Sequence, residues 1–307
     1  MFWHAWRTSL RSVVACVSAR LPHFRGRGRI LLFLDRILTN SSDPASYKVI
    51  GKLNGASLFE FDLRPWGQKF AFYYREWERE HVDLLRRLYS GGTFIDVGSS
   101  LGLYVIGLSD KVRQYGGAIL SVEPVPFNLD RQKRNVELNG VGDLVTYFAG
   151  ALGSKTGMVR ITTDPTMADN NAIISSDGNM EVSVVRLDDL LRSGSFGRIG
   201  MIKIDVEGYE PLVIEGGRET LRVHRPIVLA EFNRERMNIN GLSIGDVWRF
   251  MTEDIGYSAY WLDARTGFLA RLTVPGDKEN IIFVTADVTG SRLRSNQNGI
   301  SVVDIRA

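Results

Sequence analysis

The sequence predicts an α/β protein built on a doubly wound, mostly parallel sheet with an N-terminal antiparallel and helical extension, and three observations predict it. From Thr93 onward, short apolar runs alternate with helical patterns, the signature of parallel strands covered by helices on both faces. The stretch Thr93-Phe94-Ile95-Asp96-Val97-Gly98-Ser99-Ser100-Leu101-Gly102 reads as a buried strand, a glycine turn and a helix start, which lets backbone N–H groups approach a ligand. A chain of 307 residues, 44% hydrophobic, is also long enough to bury such a core.

Taken in order, residues 1–46 form a basic, aromatic N-terminal arm and linker. Residues 1–40 hold seven Arg and one Asp, a charge of +6, so the remainder carries +3 − 6 = −3. Two readings fit the arm: a solvated segment whose aromatics pack on the main domain, or an interfacial helix in peripheral contact with anionic lipid. Its apolar patches around Val13–Val17 and Ile30–Leu34 are interrupted too soon to span a bilayer. Thr39 to Ser46 reads as a linker. The main domain is expected over residues 47–286, with short antiparallel strands over 47–74 and a helix from Glu76 to Tyr89, all ahead of a motif-bearing core at 92–233.

In that core the expected strands are Phe94–Val97, Ala118–Val122, Leu144–Ala149, Met201–Asp205 and Ile227–Glu231. The helices between and after them are Leu101–Val112, Phe127–Leu138, Glu210–Gly216 and Ile244–Asp254. An insert from Thr156 to Asp189 contains strand-like Met158–Thr162 and Glu181–Arg186. Antiparallel strands are expected at Tyr257–Leu262 and Asn280–Val284, around turns at Thr266-Gly267 and Pro275-Gly276. Residues 287–307 read as a loose tail.

Composition narrows the function. The positive charge belongs to the arm, so the main body offers no basic footprint for nucleic acid. One cysteine, Cys16, excludes an internal disulfide and points to a reducing, cytoplasmic compartment. The scattered His and Cys residues leave no metal-ligand spacing, so no metal is expected.

Chemistry concentrates at strand ends. Glu123 closes the second strand, where α/β nucleotide sites take both ribose hydroxyls, and Pro124 and Pro126 fix the backbone after it. In Met201-Ile202-Lys203-Ile204-Asp205-Val206-Glu207-Gly208, strand alternation places Lys203, Asp205 and Glu207 together, opposite Ile202, Ile204 and Val206. Three charges in a sheet covered on both faces would each cost about 3–5 kcal/mol if left unpaired, so a site at the open carboxyl rim explains them better than folding does. Glu231 ends Ile227-Val228-Leu229-Ala230 at the same rim, as a site carboxylate or as an ion-pair partner for Lys203 or Arg234. The polar run Thr163–Asn171 is placed to overhang the site, and Trp66, Tyr73 and Tyr74 are candidates to stack on a sugar face.

Seven segments stand in one order: Asp96-Val97-Gly98, Val122-Glu123-Pro124 leading to Asn128, Asn135 with Asn139, Ala151-Leu152-Gly153, Leu187-Asp188-Asp189-Leu190, Ile202 through Gly208, and Arg225-Pro226 leading to Glu231. Over residues 92–233 this series resembles the FkbM family of methyltransferases. The resemblance implies a Rossmann-like class I methyltransferase fold, S-adenosylmethionine as cofactor, and O-methyl transfer to a sugar, glycan or other small hydroxylated acceptor. It implies that Asp96, Gly98 and Gly102 hold the methionine portion, that Glu123 takes the ribose, and that Asn128 and Ala151 lie near the adenine. Where the family has Ala-Asn after the first glycine, this chain has Ser99-Ser100; Ser100 keeps a hydrogen-bond donor and is counted with the cofactor residues. An alcohol acceptor needs a general base within about 2.6–3.2 Å of its proton. Asp205 is the first candidate, with Glu207 and Glu231 behind it and Lys203 as its electrostatic partner.

Two rival readings share the layered sheet: a nicotinamide-dependent oxidoreductase, and a membrane-tethered nucleotide-binding protein without catalysis. The missing middle glycine after Gly98 and the charged row at Lys203–Glu207 speak against the first.

Overall fold

The computed structural model describes residues 2–22, 24–40, 42–163, 173–175, 177–263, 267–286, 293–295 and 301–303. The chain opens with helices α1 (Phe2–Arg20) and α2 (Arg27–Leu38), followed by the hairpin β1 (Lys48–Leu53) and β2 (Ser57–Asp62), which turns at Asn54-Gly55. Helices α3 (Trp66–Tyr74) and α4 (Arg79–Leu88) lead into the main sheet.

Two expectations for this half are corrected. Residues 66–74 are helical. Their aromatic content favours strands by propensity, but Phe70 and Tyr74 stack at 4.3 Å, the one-turn spacing of a helix. The N-terminal arm packs on the main domain, but through a buried polar cluster and not through its aromatics, of which Phe24 and Phe33 are exposed. Arg11, 1% exposed, donates to the Ser46 carbonyl and the Thr39 hydroxyl and lies 3.5 Å from Asp35. Asp35 also accepts from the Tyr73 hydroxyl at 2.8 Å and pairs with Lys69 at 2.9 Å. A guanidinium out of water requires such partners, and the Thr39–Ser46 linker supplies two of them.

The core then alternates: β3 (Thr93–Val97), α5 (Leu103–Gln114), β4 (Ala118–Val122), α6 (Pro126–Leu138) and β5 (Val145–Phe148). The insert builds a separate four-stranded sheet from β6 (Ala151–Leu152), β7 (Gly157–Thr162), β8 (Ile173–Ile174) and β9 (Met180–Val185). After α7 (Leu187–Ser193) come β10 (Ile199–Ile204), α8 (Glu210–Gly216), α9 (Arg218–His224), β11 (Ile227–Glu231), α10 (Arg234–Ile239) and α11 (Ile244–Arg249). The chain closes with β12 (Ser258–Asp263), β13 (Phe268–Leu272), β14 (Asn280–Val284), β15 (Leu293–Ser295) and β16 (Ser301–Val303).

The main sheet runs β15-β16-β13-β12-β14-β11-β10-β3-β4-β5. Strands β5, β4, β3, β10 and β11 are parallel, and β14 enters antiparallel between β11 and β12. The chain travels outward from β3 to β5 and returns to the other side of β3 as β10, so the strand order reverses between β3 and β10. A doubly wound sheet opens its ligand crevice at that point. Helices cover both faces: Phe94, Met201 and Leu229 pack beneath α4 and α5, whereas Ile95, Ile202 and Val228 pack beneath α8, α9 and α11.

Three further differences follow from pairing that local pattern does not reveal. Strand β13 pairs with β12 over Ala259–Asp263 and was not expected. The tail expected to be loose contributes β15 and β16, the latter paired with β13. Strand β10 ends at Ile204, so Asp205 follows the strand instead of closing it. Thr266 of the expected turn lies outside the described residues, as do 164–171 of the expected overhanging loop.

Candidate functional site

The crevice at the reversal is a cleft of about 730 Å³ including its open mouth. Of the residues singled out from sequence, Gly98, Ser100, Glu123, Asn128, Ala151, Asp205 and Glu207 line it. Asp96 and Lys203 lie buried beneath its floor, Gly102 starts α5, and Glu231 ends β11 close enough to Asp205 and Lys203 for their charges to act on its carboxyl.

The turn after β3 is shaped by close approach. Gly98 has φ +78, and a Cβ there would meet the Asp205 carbonyl oxygen at 1.8 Å, so the ends of β3 and β10 touch only because the side chain is absent. Gly102 has φ +84, and its Cβ would meet Gln132 at 2.9 Å. Ser100 adopts φ +46, a left-handed conformation that L-residues rarely hold. It is held there by its N–H, which donates to Glu123 Oε2 at 2.9 Å.

Glu123 is thereby locked from three sides, its Oε1 accepting from the Val125 N–H at 2.9 Å and from Asn128 Nδ2 at 3.3 Å. Burial pushes its carboxyl up to about 7, against those hydrogen bonds. A buried serine–glutamine chain supports the turn from behind. Ser99 Oγ sits 2.8 Å from Ser121 Oγ, which donates to Gln132 Oε1 at 2.8 Å. Neither Ser121 nor Gln132 stands out in sequence, because their pairing depends on how α6 lies over β4.

Beneath the cleft lies a charge cluster centred on Lys203. Register places Lys203 opposite Asp96 on adjacent strands. Its Nζ is 3.8 Å from Asp96, 3.1 Å from Asp205 and 3.5 Å from the Gly98 carbonyl, and 5.0 Å from the Tyr104 ring centre. Burial alone would lower its pKa, but Asp205, Asp96 and Glu78 together hold it above its ordinary value. Burial raises Asp96 to about 6, with Lys203 opposing and Asp205 and Glu78 reinforcing. Burial also raises Glu231, and Asp205 and Glu78 add to the rise. Among the described residues Glu231 forms no salt bridge with Lys203 or Arg234, although the Lys203 charge acts on its carboxyl and opposes the rise.

Glu207 departs from strand alternation. At φ +56 it turns out of line with Lys203 and Asp205 and engages Arg236 at 3.3 Å and Asn233 at 3.4 Å. Tyr73 is consumed by Asp35 in the arm's docking, and none of Trp66, Tyr73 and Tyr74 lines the cleft. Two participants were missed. Glu78 accepts from the Tyr104 hydroxyl at 2.6 Å and adds negative potential beneath the cleft. Glu210 accepts from Val206 N at 3.1 Å and Gly208 N at 3.0 Å, clamping the loop that carries Asp205. A carboxylate two residues after Gly208 at a helix start was the available signal for Glu210.

Sheet order, glycine turn and locked carboxylate define a class I methyltransferase fold. The sequence model of the Methyltransferase FkbM domain matches residues 96–259, more than half of the chain, and the chain belongs to that family of S-adenosylmethionine-dependent methyltransferases. It is 28% identical over 127 residues to the hexuronic acid methyltransferase AglP of Haloferax volcanii, covering 41% of this chain and 50% of that protein. To methyltransferase sdnD of Sordaria araneosa it is 26% identical over 177 residues, covering 47% of this chain and 68% of that one. The chain thus spans half the length of the first of these relatives. The crystal structure of methyltransferase FkbM from Methylobacillus flagellatus aligns over 91% of this chain and 58% of its own, at 14% identity and a TM-score of 0.41. Family membership displaces the oxidoreductase reading. Among the described residues no helix is long and apolar enough to cross a membrane, and no group of His, Cys, Asp and Glu could hold a metal ion.

Proposed function

We propose that the chain methylates a hydroxyl oxygen of a small acceptor, a sugar or a comparable hydroxylated molecule, with Asp205 as general base. One observation carries this reading: Asp205 lines the cleft with a partly exposed carboxylate (29%), 3.1 Å from the buried ammonium of Lys203. The ammonium fixes that carboxylate at the cleft, where a carboxylate oxygen can take up a hydroxyl proton.

The residues present fit the cofactor. The glycine-opened turn at Gly98 and Gly102 leaves backbone free to approach the methionine portion, and Ser100 and Glu123 are already oriented toward one another across it. Glu123 would take the ribose hydroxyls on its remaining lone pairs, and Asn128 and Ala151 would border the adenine, with Ile161 and Ile174 offering apolar surface. The carboxylates around Lys203 suit a cationic donor. When bound, S-adenosylmethionine supplies an electrophilic methyl group on its sulfonium, and the chain contributes position and a proton acceptor.

The rim bears on the acceptor. Asp205, Glu207 and Glu78 outnumber Lys203 and Arg236, so a neutral hydroxylated molecule suits it better than a free hexuronate, which would add a negative charge. A single cysteine suits a reducing, cytoplasmic setting. The test is transfer of labelled methyl to a panel of neutral and acidic sugars by wild type and Asp205→Asn. Turnover by the variant is expected to drop by about 10²-fold or more while cofactor affinity is retained. Equal losses in turnover and in affinity would remove Asp205 from the base role.

A further inference from the structure

The docked N-terminal helices leave an apolar surface that the methyl-transfer site does not use. On α1 and just past its end, Val13, Val17 and Leu21 are 56%, 53% and 45% exposed; on α2, Ile30, Phe33 and Ile37 are 52%, 65% and 58% exposed. Spacings of three and four residues put each trio on one side of its helix, away from the buried Arg11, Ala15 and Ser18 of α1 and the buried Leu31, Asp35 and Leu38 of α2. Phe24, 47% exposed, continues the surface in the connecting loop. Six outward branched or aromatic side chains on one helical hairpin exceed the scattered exposure usual for surfaces.

The charges around these stripes have one sign. Arg20, Arg25, Arg29 and Arg36 are exposed, while Asp35, the one acid of residues 1–40, is buried and already paired with Arg11 and Lys69. An apolar stripe flanked by arginine with no exposed acid is the chemistry of a helix resting on an anionic bilayer. A protein partner complementary to the same surface would have to match both features at once. Because neither helix is long and apolar enough to cross, the contact is a lying-on one.

We infer that α1 and α2 form a peripheral docking surface for anionic lipid, holding the methyltransferase domain against a membrane. The side chains of Phe33, Ile37 and Val17 enter the interface, and the four exposed arginines meet lipid phosphates. Each arginine near an anionic surface is worth about fivefold in binding. Replacing two of them is therefore expected to lower partitioning about 20-fold.

The experiment is co-sedimentation of the full chain with vesicles of phosphatidylcholine alone and of phosphatidylcholine with phosphatidylglycerol. Binding to the anionic vesicles only, weakened by added salt, is the expected result. Arg25→Gln/Arg29→Gln and Phe33→Ser/Ile37→Ser should each lose that binding while S-adenosylmethionine affinity and circular dichroism stay at wild-type values. Three results would overturn the inference. The first is no sedimentation with either vesicle, and the second is equal sedimentation with both. The third is a dimer in gel filtration that Phe33→Ser/Ile37→Ser converts to monomer, which would assign the face to a second copy of the chain.

Discussion

Gly98 sits where two strand ends converge, and its lack of a side chain fixes the distance between the turn after β3 and the loop bearing Asp205. Gly116 isolates the backbone part of that requirement: its φ is +62, but a Cβ there would meet nothing within 4 Å. Gly116→Ala is expected to cost only the left-handed conformation, about 1–2 kcal/mol. Gly98→Ala adds an overlap with the Asp205 carbonyl that only backbone movement can relieve. We expect a loss of about 3 kcal/mol or more and a turnover defect, because the displaced group adjoins the proposed base. Urea unfolding of both variants checks the prediction, and equal losses at the two positions would refute the close-contact account. The charged row at Lys203 and Asp205 was legible in sequence because nothing in a covered sheet justifies it. The Asp96–Lys203 pairing was not, since it depends on register between strands far apart in the chain.

At the scale of elements, α6 acts as a clamp. Asn135 is fully buried; its Oδ1 accepts from the Glu60 N–H of β2 at 2.7 Å and its Nδ2 donates to the Leu101 carbonyl at 3.0 Å. One turn on, Asn139 accepts from Leu58 N at 2.9 Å and donates to Leu58 O at 2.7 Å. The helix thus satisfies the edge of the N-terminal hairpin and holds the turn after β3 with one side chain. Asn135→Ala strands both partners and should cost about 2–3 kcal/mol. It should also weaken S-adenosylmethionine binding, because Leu101 belongs to the turn. Asn139→Ala should destabilise without that binding loss, and calorimetric titration separates the two. The alternating core elements were legible because each carries its own period. Helix α3 was not, as aromatic propensity favoured strand, and neither was β13, whose only justification is its pairing with β12. The polar anchor of the arm was not legible, because Arg11 reads as a surface residue until Asp35, Thr39 and Ser46 surround it.

For the molecule as a whole, the site gathers carboxylates that folding holds partly protonated, which makes stability depend on pH with a definite sign. Burial raises Asp96 to about 6 and Glu123 and Glu210 to about 7, and raises Glu231 as well. Between their ordinary values near 4 and these raised ones, the folded chain holds protons that the unfolded chain has released. Stability therefore falls as pH rises through that window. The depressed carboxyls of Asp62, Asp110 and Asp143 titrate below it and add no slope. His81, lowered by burial, tilts the other way but is one group against four. The urea midpoint is expected to be higher at pH 5.5 than at pH 8. Glu210 provides the control, since its Oε1 accepts from two backbone N–H groups while Oε2 has no hydrogen-bond partner. In Glu210→Gln the amide oxygen can keep both bonds and nothing titrates. The advantage of the variant over wild type should grow by about 2 kcal/mol between pH 5.5 and pH 8. A difference between variant and wild type that stays constant from pH 5.5 to pH 8 would mean that Glu210 is ionised throughout, and that the buried loop below Asp205 tolerates its charge.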